Sequence, residues 1–159
     1  MVVLEQALTP GHLASVRVLF QEYVDALGVD LSFQGFEEEL RDLPGGYALP
    51  DGTLILAREG ESVLGCVGVR PLDSGTAEMK RLYVRPEGRA RGAGRALAWA
   101  AIEHARRAGY RRMRLDTLPQ MVQAQALYES LGFRSIPPYR FNPVPGTVYM
   151  ELPLDPPES

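Results

Sequence analysis

The stretch that decides the fold is EMKRLYVRPEGRARGAGRALAWAAIEHARRAGY, residues 78–110. A strand-like run leads to Pro86, a segment rich in Gly and Arg follows, and an Ala-rich helix of about 92–108 ends at Gly109. Glycine at the start of a helix lets the backbone curl round a ligand. The first N–H groups of that helix lack internal acceptors and lie at the positive end of its dipole. With the flanking arginines, residues 89–95 therefore predict a site for a phosphate or pyrophosphate.

Two common phosphate motifs are absent from this segment. A Walker motif, GxxxxGK[ST], would need a Lys directly after Gly94, and Arg95 stands there instead. A Rossmann motif, GxGxxG, would need a third glycine where Leu97 stands. The segment does match the pattern R/Q-x-x-G-x-G/A, in which Arg89, Gly92 and Gly94 occupy the defined positions.

This pattern and its surroundings resemble the GNAT family of acetyl-CoA-dependent N-acetyltransferases. The resemblance includes the strand LYV (82–84), the Ala-rich helix, the strand RLDT (114–117) and the helix ALYESLGF (126–133), in the family's order and spacing. It implies an α/β fold with a mixed, mostly antiparallel sheet of about seven strands and four helices, splayed where acetyl-CoA binds. It also implies an enzyme, an acyltransferase with acetyl-CoA as its co-substrate.

The resemblance further implies which residues bind the co-substrate. The backbone of strand 82–84 would pair with the pantetheine arm like an added strand, and the amides of residues 90–95 would bind the pyrophosphate. The implied cofactor-binding residues are Leu82, Tyr83, Val84, Arg89, Ala90, Arg91, Gly92, Ala93, Gly94 and Arg95. Many relatives carry Asn seven residues before the tyrosine of the last helix, and Met121 stands at that position here.

Three side chains are candidates for the chemistry. Tyr128 falls where the family commonly keeps a tyrosine that protonates the departing CoA thiolate, and a neutral O–H donor suits that role. The acceptor amine must also lose a proton, to Glu78 as in the histone-acetyltransferase branch or to Asp116 as in a ribosomal-protein-acetylating branch, directly or through water. We favour Glu78, with a cross-strand ion pair to an Arg as the competing interpretation. Strand alternation puts Glu78 on one face with Lys80 and Leu82.

The other elements follow from periodicity and turn residues. Strands are predicted at 2–8, 53–58, 62–71, 76–85, 111–117, 133–136 and 147–152, the second to fourth of them joined as antiparallel hairpins. Further helices are predicted from Pro10, after the cap Thr9, to Gly28, over 33–42 with Ser32 as cap, and over 121–131. We find no internal repeat, and we predict that residues 1–159 form a single domain.

Composition and charge narrow the function classes. The chain is 45% hydrophobic and 23% charged, as in ordinary globular proteins, and its one cysteine, Cys66, excludes a Cys-rich zinc module, so no metal is expected. Without an apolar run of membrane length or a signal-peptide pattern, we expect a cytoplasmic protein with no membrane partner. Residues 80–114 contain eleven basic and two acidic residues, against six and eighteen elsewhere. A basic segment in an acidic protein favours a discrete anionic ligand over nucleic acid.

These observations predict direct transfer of an acetyl group from acetyl-CoA to a primary amine in a ternary complex. The Pro-rich excursion PPYRFNPVPG, residues 137–146, suits a cover over the acceptor pocket or a homodimer interface. Its aromatic residues Tyr139 and Phe141 favour a small-molecule acceptor over a protein. The alternatives are a sensor that binds acetyl-CoA without transfer and, less favoured, a nucleic-acid-binding protein.

Overall fold

A seven-stranded sheet runs through the residues that the computed structural model describes, 1–28, 30 and 35–154. Its strands are β1 (Val3–Gln6), β2 (Thr53–Glu59), β3 (Ser62–Asp73), β4 (Thr76–Val84), β5 (Arg112–Thr117), β6 (Arg134–Ile136) and β7 (Val148–Pro153). They lie in the order β1-β2-β3-β4-β5-β7-β6, and all neighbours are antiparallel except β4 and β5. The predicted mixed, mostly antiparallel sheet is confirmed.

Four α-helices connect these strands within the described residues. They are α1 (Pro10–Leu27), α2 (Phe36–Asp42), α3 (Ala93–Arg107) and α4 (Val122–Ser130), and short 3-10 helices span Gly45–Tyr47 and Pro86–Arg91. Thr9 caps α1 as predicted, because its side chain accepts the N–H of His12 at 3.1 Å. Helix α2 begins at Phe36, directly after Gly35, which takes a left-handed φ of 69°. Its predicted start at residue 33 and its predicted cap, Ser32, lie outside the described residues.

Helices cover both faces of the sheet and place a core on each. On one face, α3 and α4 pack against the strands around Leu97, Ile102 and Met113. On the other, α1 and α2 pack around Phe20 and Phe36. Burial of these side chains holds the central strands between two helical layers and supplies the main free energy of folding.

Strand β4 contains one extra residue in its ladder with β3. Lys80 pairs with Gly68 and Tyr83 pairs with Cys66, so three steps along β4 match two steps along β3. Arg81 lies within this irregularity and has a φ of 60°, in the left-handed region that side chains rarely adopt. The irregularity is therefore a β-bulge, and a bulge changes which face the following side chains take.

The bulge overturns one prediction about orientation. Met79 and Leu82 both pack in the core under α3, although two residues separate them. Simple strand alternation predicted that Leu82 lies on the same face as Glu78. This prediction is wrong, because the extra residue in the bulge reverses the faces of the side chains that follow it. Both carboxylate oxygens of Glu39, on α2, accept hydrogen bonds from Arg81 at 3.1 Å, which holds the bulged residue toward the α1 and α2 face.

Strands β4 and β5 diverge beyond their first few residues. Their parallel pairing stops at Glu78 and Arg114, but the strands continue to Val84 and Thr117. The later part of β4 therefore lacks a β5 partner on that side, and its backbone edge borders a cleft. This is the predicted splay, and it positions the candidate site.

A first prediction concerns the close approach of β3 to β4. A Cβ added at Gly65 would lie 2.4 Å from the carbonyl oxygen of Tyr83, a backbone atom that cannot easily move. We expect Gly65→Ala to lower the free energy of unfolding by about 1–3 kcal/mol, measured by urea denaturation. In Gly11→Ala, the control, the new Cβ meets only Thr9 Oγ1 at 3.8 Å, so stability should not fall. Equal stability of Gly65→Ala and wild type would contradict the close approach.

Candidate active site

Two adjoining cavities lie where β4 and β5 diverge. The inner cavity, of about 40 Å³, is lined by residues that include Tyr23, Lys80, Asp116, Tyr128 and Asn142. The outer groove, of about 730 Å³, passes the starts of α3 and α4. Residues common to both linings are Tyr23, Leu27, Leu82 and Met121. The two cavities therefore lie side by side and share part of their walls.

Asp116, on β5, brings a carboxylate into the inner cavity. Its side chain is 8% exposed, and its Oδ1 lies 3.9 Å from Nζ of Lys80. Its Oδ2 is buried and has no hydrogen-bond partner in the part of the chain that the structure describes. A buried carboxylate oxygen without a donor is costly, so this oxygen suits a ligand that brings an N–H group.

Tyr128, on α4, lines the same cavity. Its ring packs edge to face against Phe133, with 5.7 Å between centroids. Burial raises the pKa of its hydroxyl, and Tyr23 and Asp116 add to the shift. The hydroxyl therefore keeps its proton at neutral pH and can donate it.

Glu78 is fully buried, and both of its oxygens are occupied. Oε1 accepts from Nε of Arg70 at 3.2 Å, and Oε2 accepts from the Tyr139 hydroxyl at 2.7 Å and pairs with Nη2 of Arg140 at 2.6 Å. Burial by itself raises the pKa of Glu78, but the charge of Lys80 and these three partners hold it below its ordinary value. The cross-strand ion pair considered from the sequence is thus present, with Arg70 directly opposite on β3.

The outer groove borders the uncapped start of α3. Gly92 precedes the helix with a φ of 75°, and no side chain of the described residues caps the first turn. Nothing lies within 4 Å of the position that a Cβ of Gly92 would take. Arg89, Gly94 and Arg95 line the groove beside it. Free helix amides next to guanidinium groups form a favourable place for an anion.

Residues 17–133 match the model of the acetyltransferase (GNAT) family. The chain belongs to the GNAT family. It is 43% identical, over 90% of its length and 89% of the relative's, to an uncharacterized N-acetyltransferase of Schizosaccharomyces pombe. Its fold matches a GNAT acetyltransferase of Staphylococcus aureus with a TM-score of 0.80 at 18% identity, covering 98% and 100% of the two chains. It also matches yncA of Salmonella typhimurium, solved with its cofactor acetyl-CoA, with a TM-score of 0.68 at 22% identity, covering 97% and 94%.

The chain is therefore an N-acetyltransferase, and acetyl-CoA is its acetyl donor. Seven of the ten residues predicted to bind acetyl-CoA line the outer groove of this GNAT enzyme: Leu82, Tyr83, Val84, Arg89, Gly92, Gly94 and Arg95. The other three do not line it: Ala90, Arg91 and Ala93. Arg91 instead contacts Glu59 at 2.5 Å, and the side chain of Ala93 is buried in the core. For these three the prediction concerned the backbone amides, which the side-chain positions do not test.

Two arginines of the basic segment keep their positive charge in the groove of the GNAT enzyme. Five others pair with carboxylates outside residues 80–114: Arg81 with Glu39, Arg85 with Glu22, Arg91 with Glu59, and Arg112 and Arg114 with Glu151. In contrast, Arg89 donates to the carbonyl of Val84 at 3.1 Å and Arg95 donates to the hydroxyl of Ser130 at 2.8 Å. Because these acceptors are neutral, Arg89 and Arg95 keep their charge for an anionic ligand.

Sequence reasoning missed Lys80 and Tyr23 as residues of the site. Burial lowers the pKa of Lys80 to about 8, against the opposing effects of Glu78 and Asp116. Burial raises the pKa of Tyr23 to about 12. The sequence signal for Lys80 was its place two residues after Glu78, but its burial depends on the helices that cover the sheet. Tyr23 lies on the apolar face of α1, and that pattern predicts a buried core residue and not a site residue.

Met121 lines both cavities at the start of α4, where many family members carry Asn. It makes no side-chain capping hydrogen bond to the helix. The neighbouring groove residues Gln120 and Gln123 carry amide groups of the kind that Asn would provide.

Within residues 1–28, 30 and 35–154, no group of three or more His, Cys, Asp or Glu side chains is arranged to hold a metal ion. In the same ranges, no helix combines the length and the apolar character that crossing a membrane requires.

Proposed function

We propose that this enzyme transfers the acetyl group of acetyl-CoA directly to the primary amine of a small molecule, with both substrates bound together. The observation that carries the proposal is the inner cavity, in which the unsatisfied oxygen of Asp116 and the hydroxyl of Tyr128 line one space at the end of the groove. A proton acceptor and a proton donor that share one cavity suit a reaction in which an amine loses a proton and a thiolate gains one.

The outer groove fits acetyl-CoA. The open space at Gly92, the uncapped amides of α3 and the charges of Arg89 and Arg95 suit its pyrophosphate. The free edge of β4 at residues 82–84 suits its pantetheine arm, whose amides pair with an exposed strand. When bound there, acetyl-CoA supplies the thioester carbonyl that the amine attacks.

Asp116 is the better candidate for the acceptor's proton, although Glu78 was favoured from the sequence. Oδ2 of Asp116 is free to accept a hydrogen bond from an amine in the inner cavity. Both oxygens of Glu78 are occupied by donors, and its lowered pKa makes it a weak base. We therefore assign to Asp116 the orientation of the amine and the acceptance of its proton.

Tyr128 completes the proton balance. Its hydroxyl stays protonated because burial raises its pKa, so it can give its proton to the sulfur that leaves. The proton accepted at Asp116 then replaces, directly or through water, the proton that Tyr128 gives up, so both side chains return to their starting states. A covalent intermediate on Cys66 does not suit this site, because burial raises the pKa of its thiol and leaves it inert.

The excursion at 137–146 supports a small acceptor. Tyr139 and Arg140 both bind Glu78, and Tyr149 donates to the Arg140 carbonyl at 2.9 Å. Asn142 lines the inner cavity next to these contacts. An excursion held down on the sheet leaves less room for a peptide than for a small molecule. A homodimer and a cytoplasmic location are further proposals that follow from the sequence.

The experiment is an assay of CoA release with a panel of primary amines. We expect Asp116→Asn to lower kcat by about 100-fold, because the amide cannot accept the amine proton, with little change in the KM for acetyl-CoA. Glu151→Gln, on the adjacent strand β7, is the matched control and should keep wild-type kcat. The assignment fails if Glu78→Gln lowers kcat in this way and Asp116→Asn does not. Selective binding of acetyl-CoA without turnover of any amine would favour the sensor.

A further inference from the structure

Arg70 and Arg140 share one buried carboxylate beside the inner cavity. Arg70 reaches Glu78 from β3, and Arg140 reaches it from the excursion. Glu78 is fully buried, whereas the side chains of Arg70 and Arg140 remain 26% and 23% exposed. A ligand from solvent can therefore reach the two guanidinium groups but not the carboxylate of Glu78.

Three guanidinium groups and two carboxylates form the ion pairs of this cluster. The guanidinium groups belong to Arg70, Arg81 and Arg140, and the carboxylates belong to Glu39 and Glu78. Arg81 is buried with two hydrogen bonds to Glu39, so the arginines that a ligand can reach are Arg70 and Arg140. Arg70 also lines a cavity with Glu38 and Asp42, so its charge is offset more than that of Arg140.

Arg140 carries N–H groups that can bind an anion. Its ion pair with Glu78 joins Nη2 to Oε2 at 2.6 Å, and a guanidinium has five N–H donors in all. A guanidinium presents its donors in a plane that matches the two oxygens of a carboxylate. Tyr139 lies against Arg140, with the guanidinium carbon 5.1 Å from its ring centroid, and limits the side chain's freedom.

The cluster is close to the proposed place of the acceptor amine. Glu78 precedes Lys80 by two residues on the same face of β4, about 7 Å along the strand, and Lys80 lines the inner cavity. Arg140 precedes Asn142, another lining residue, by two positions. Neither arginine lines the inner cavity itself, so a molecule with its amine at Asp116 reaches them by extending past Lys80 and Asn142.

We propose that Arg70 and Arg140, oriented by Glu78, bind a carboxylate of the acceptor, so that the acceptor is an amino acid. The inference rests on the proposed function, because it places the acceptor amine at Asp116. Glu78 is then a positioning residue, which accounts for its burial and its full set of donors.

The test compares acids with matched neutral amines. Wild-type enzyme is assayed with the twenty amino acids, γ-aminobutyrate and the carboxamide of each. We expect the best acid to exceed its carboxamide by about 10- to 100-fold in kcat/KM, the range of a charge-assisted hydrogen bond. Arg140→Gln should remove most of this preference by raising the KM of the acid, and Arg140→Lys should restore part of it. Arg106→Gln, remote on α3, should keep the wild-type preference.

A binding measurement separates this proposal from the proposed function. With CoA present, N-acetylglycine should raise the melting temperature of wild type but not of Arg140→Gln, and N-acetylglycinamide should raise neither. If no amine is acetylated, the proposed function fails and this pair of ligands still decides whether the carboxylate site exists. Equal rates for acids and carboxamides, or an equal loss for both in Arg140→Gln, would overturn the carboxylate site and leave the transferase in place.

Discussion

Tyr128→Phe should lower kcat by about 100- to 1,000-fold while the KM for acetyl-CoA stays within about twofold of wild type. The change removes only the hydroxyl, and the ring keeps its packing against Phe133. Because Tyr128 is proposed to protonate the leaving sulfur, its loss affects the transition state and not the binding of the donor. Stopped-flow or steady-state detection of released CoA measures the effect.

The control for Tyr128 is Tyr110→Phe. The Tyr110 hydroxyl donates to the carbonyl of Asp51 at 2.9 Å, away from both cavities, so its loss should leave kcat unchanged. The pH profile gives a second check. Since burial raises the pKa of Tyr128, this donor stays protonated through pH 9, and it should not set an alkaline decline in kcat below that pH. Wild-type kcat in Tyr128→Phe would remove the tyrosine from the mechanism.

Gly92→Glu should weaken acetyl-CoA binding by 100-fold or more, measured by calorimetric titration. The new carboxylate would occupy the open space at the start of α3, where the helix amides and Arg89 favour an anion. It would repel the pyrophosphate and compete with it for the same donors. ATP and NAD serve as ligand controls, since neither should match the affinity of acetyl-CoA for wild type.

Two variants separate charge from backbone strain in this experiment. Gly92 has a φ of 75°, so any side chain there is strained, and Gly92→Ala measures that part alone. Gly109, beyond the other end of α3, has a φ of 90° and an equally open Cβ position, so Gly109→Glu adds the same charge and strain away from the groove. Binding by Gly92→Glu that equals binding by Gly92→Ala would show that the anion site lies elsewhere.

Local sequence signals were enough to predict where the helices around the groove begin and end. Glycine at positions 92 and 109 bounds α3, and Thr9 with Pro10 starts α1, because these effects act within one turn of the chain. The R/Q-x-x-G-x-G/A motif likewise includes both the glycine that precedes α3 and the arginines beside it. The observed start of α2 also has a local signal, the left-handed Gly35 directly before Phe36.

Long-range contacts decided the chemistry of the inner cavity. Arg81, in the bulge, donates hydrogen bonds to Glu39, 42 residues earlier, and the bulge puts Leu82 on the face of β4 opposite to Glu78. The sequence favoured Glu78 over Asp116, but in the structure β3 and the excursion occupy both oxygens of Glu78, whereas Oδ2 of Asp116 has no partner among the described residues.

The sequence by itself determined the family, the order of the elements and the glycine at which α3 starts, because helix ends and motif glycines are set by neighbouring residues. Only the tertiary structure decided which carboxylate is available, because hydrogen-bond satisfaction and burial depend on strands and loops that are distant in the chain. The same holds for Lys80, whose lowered pKa arises from the helices and charges packed around it.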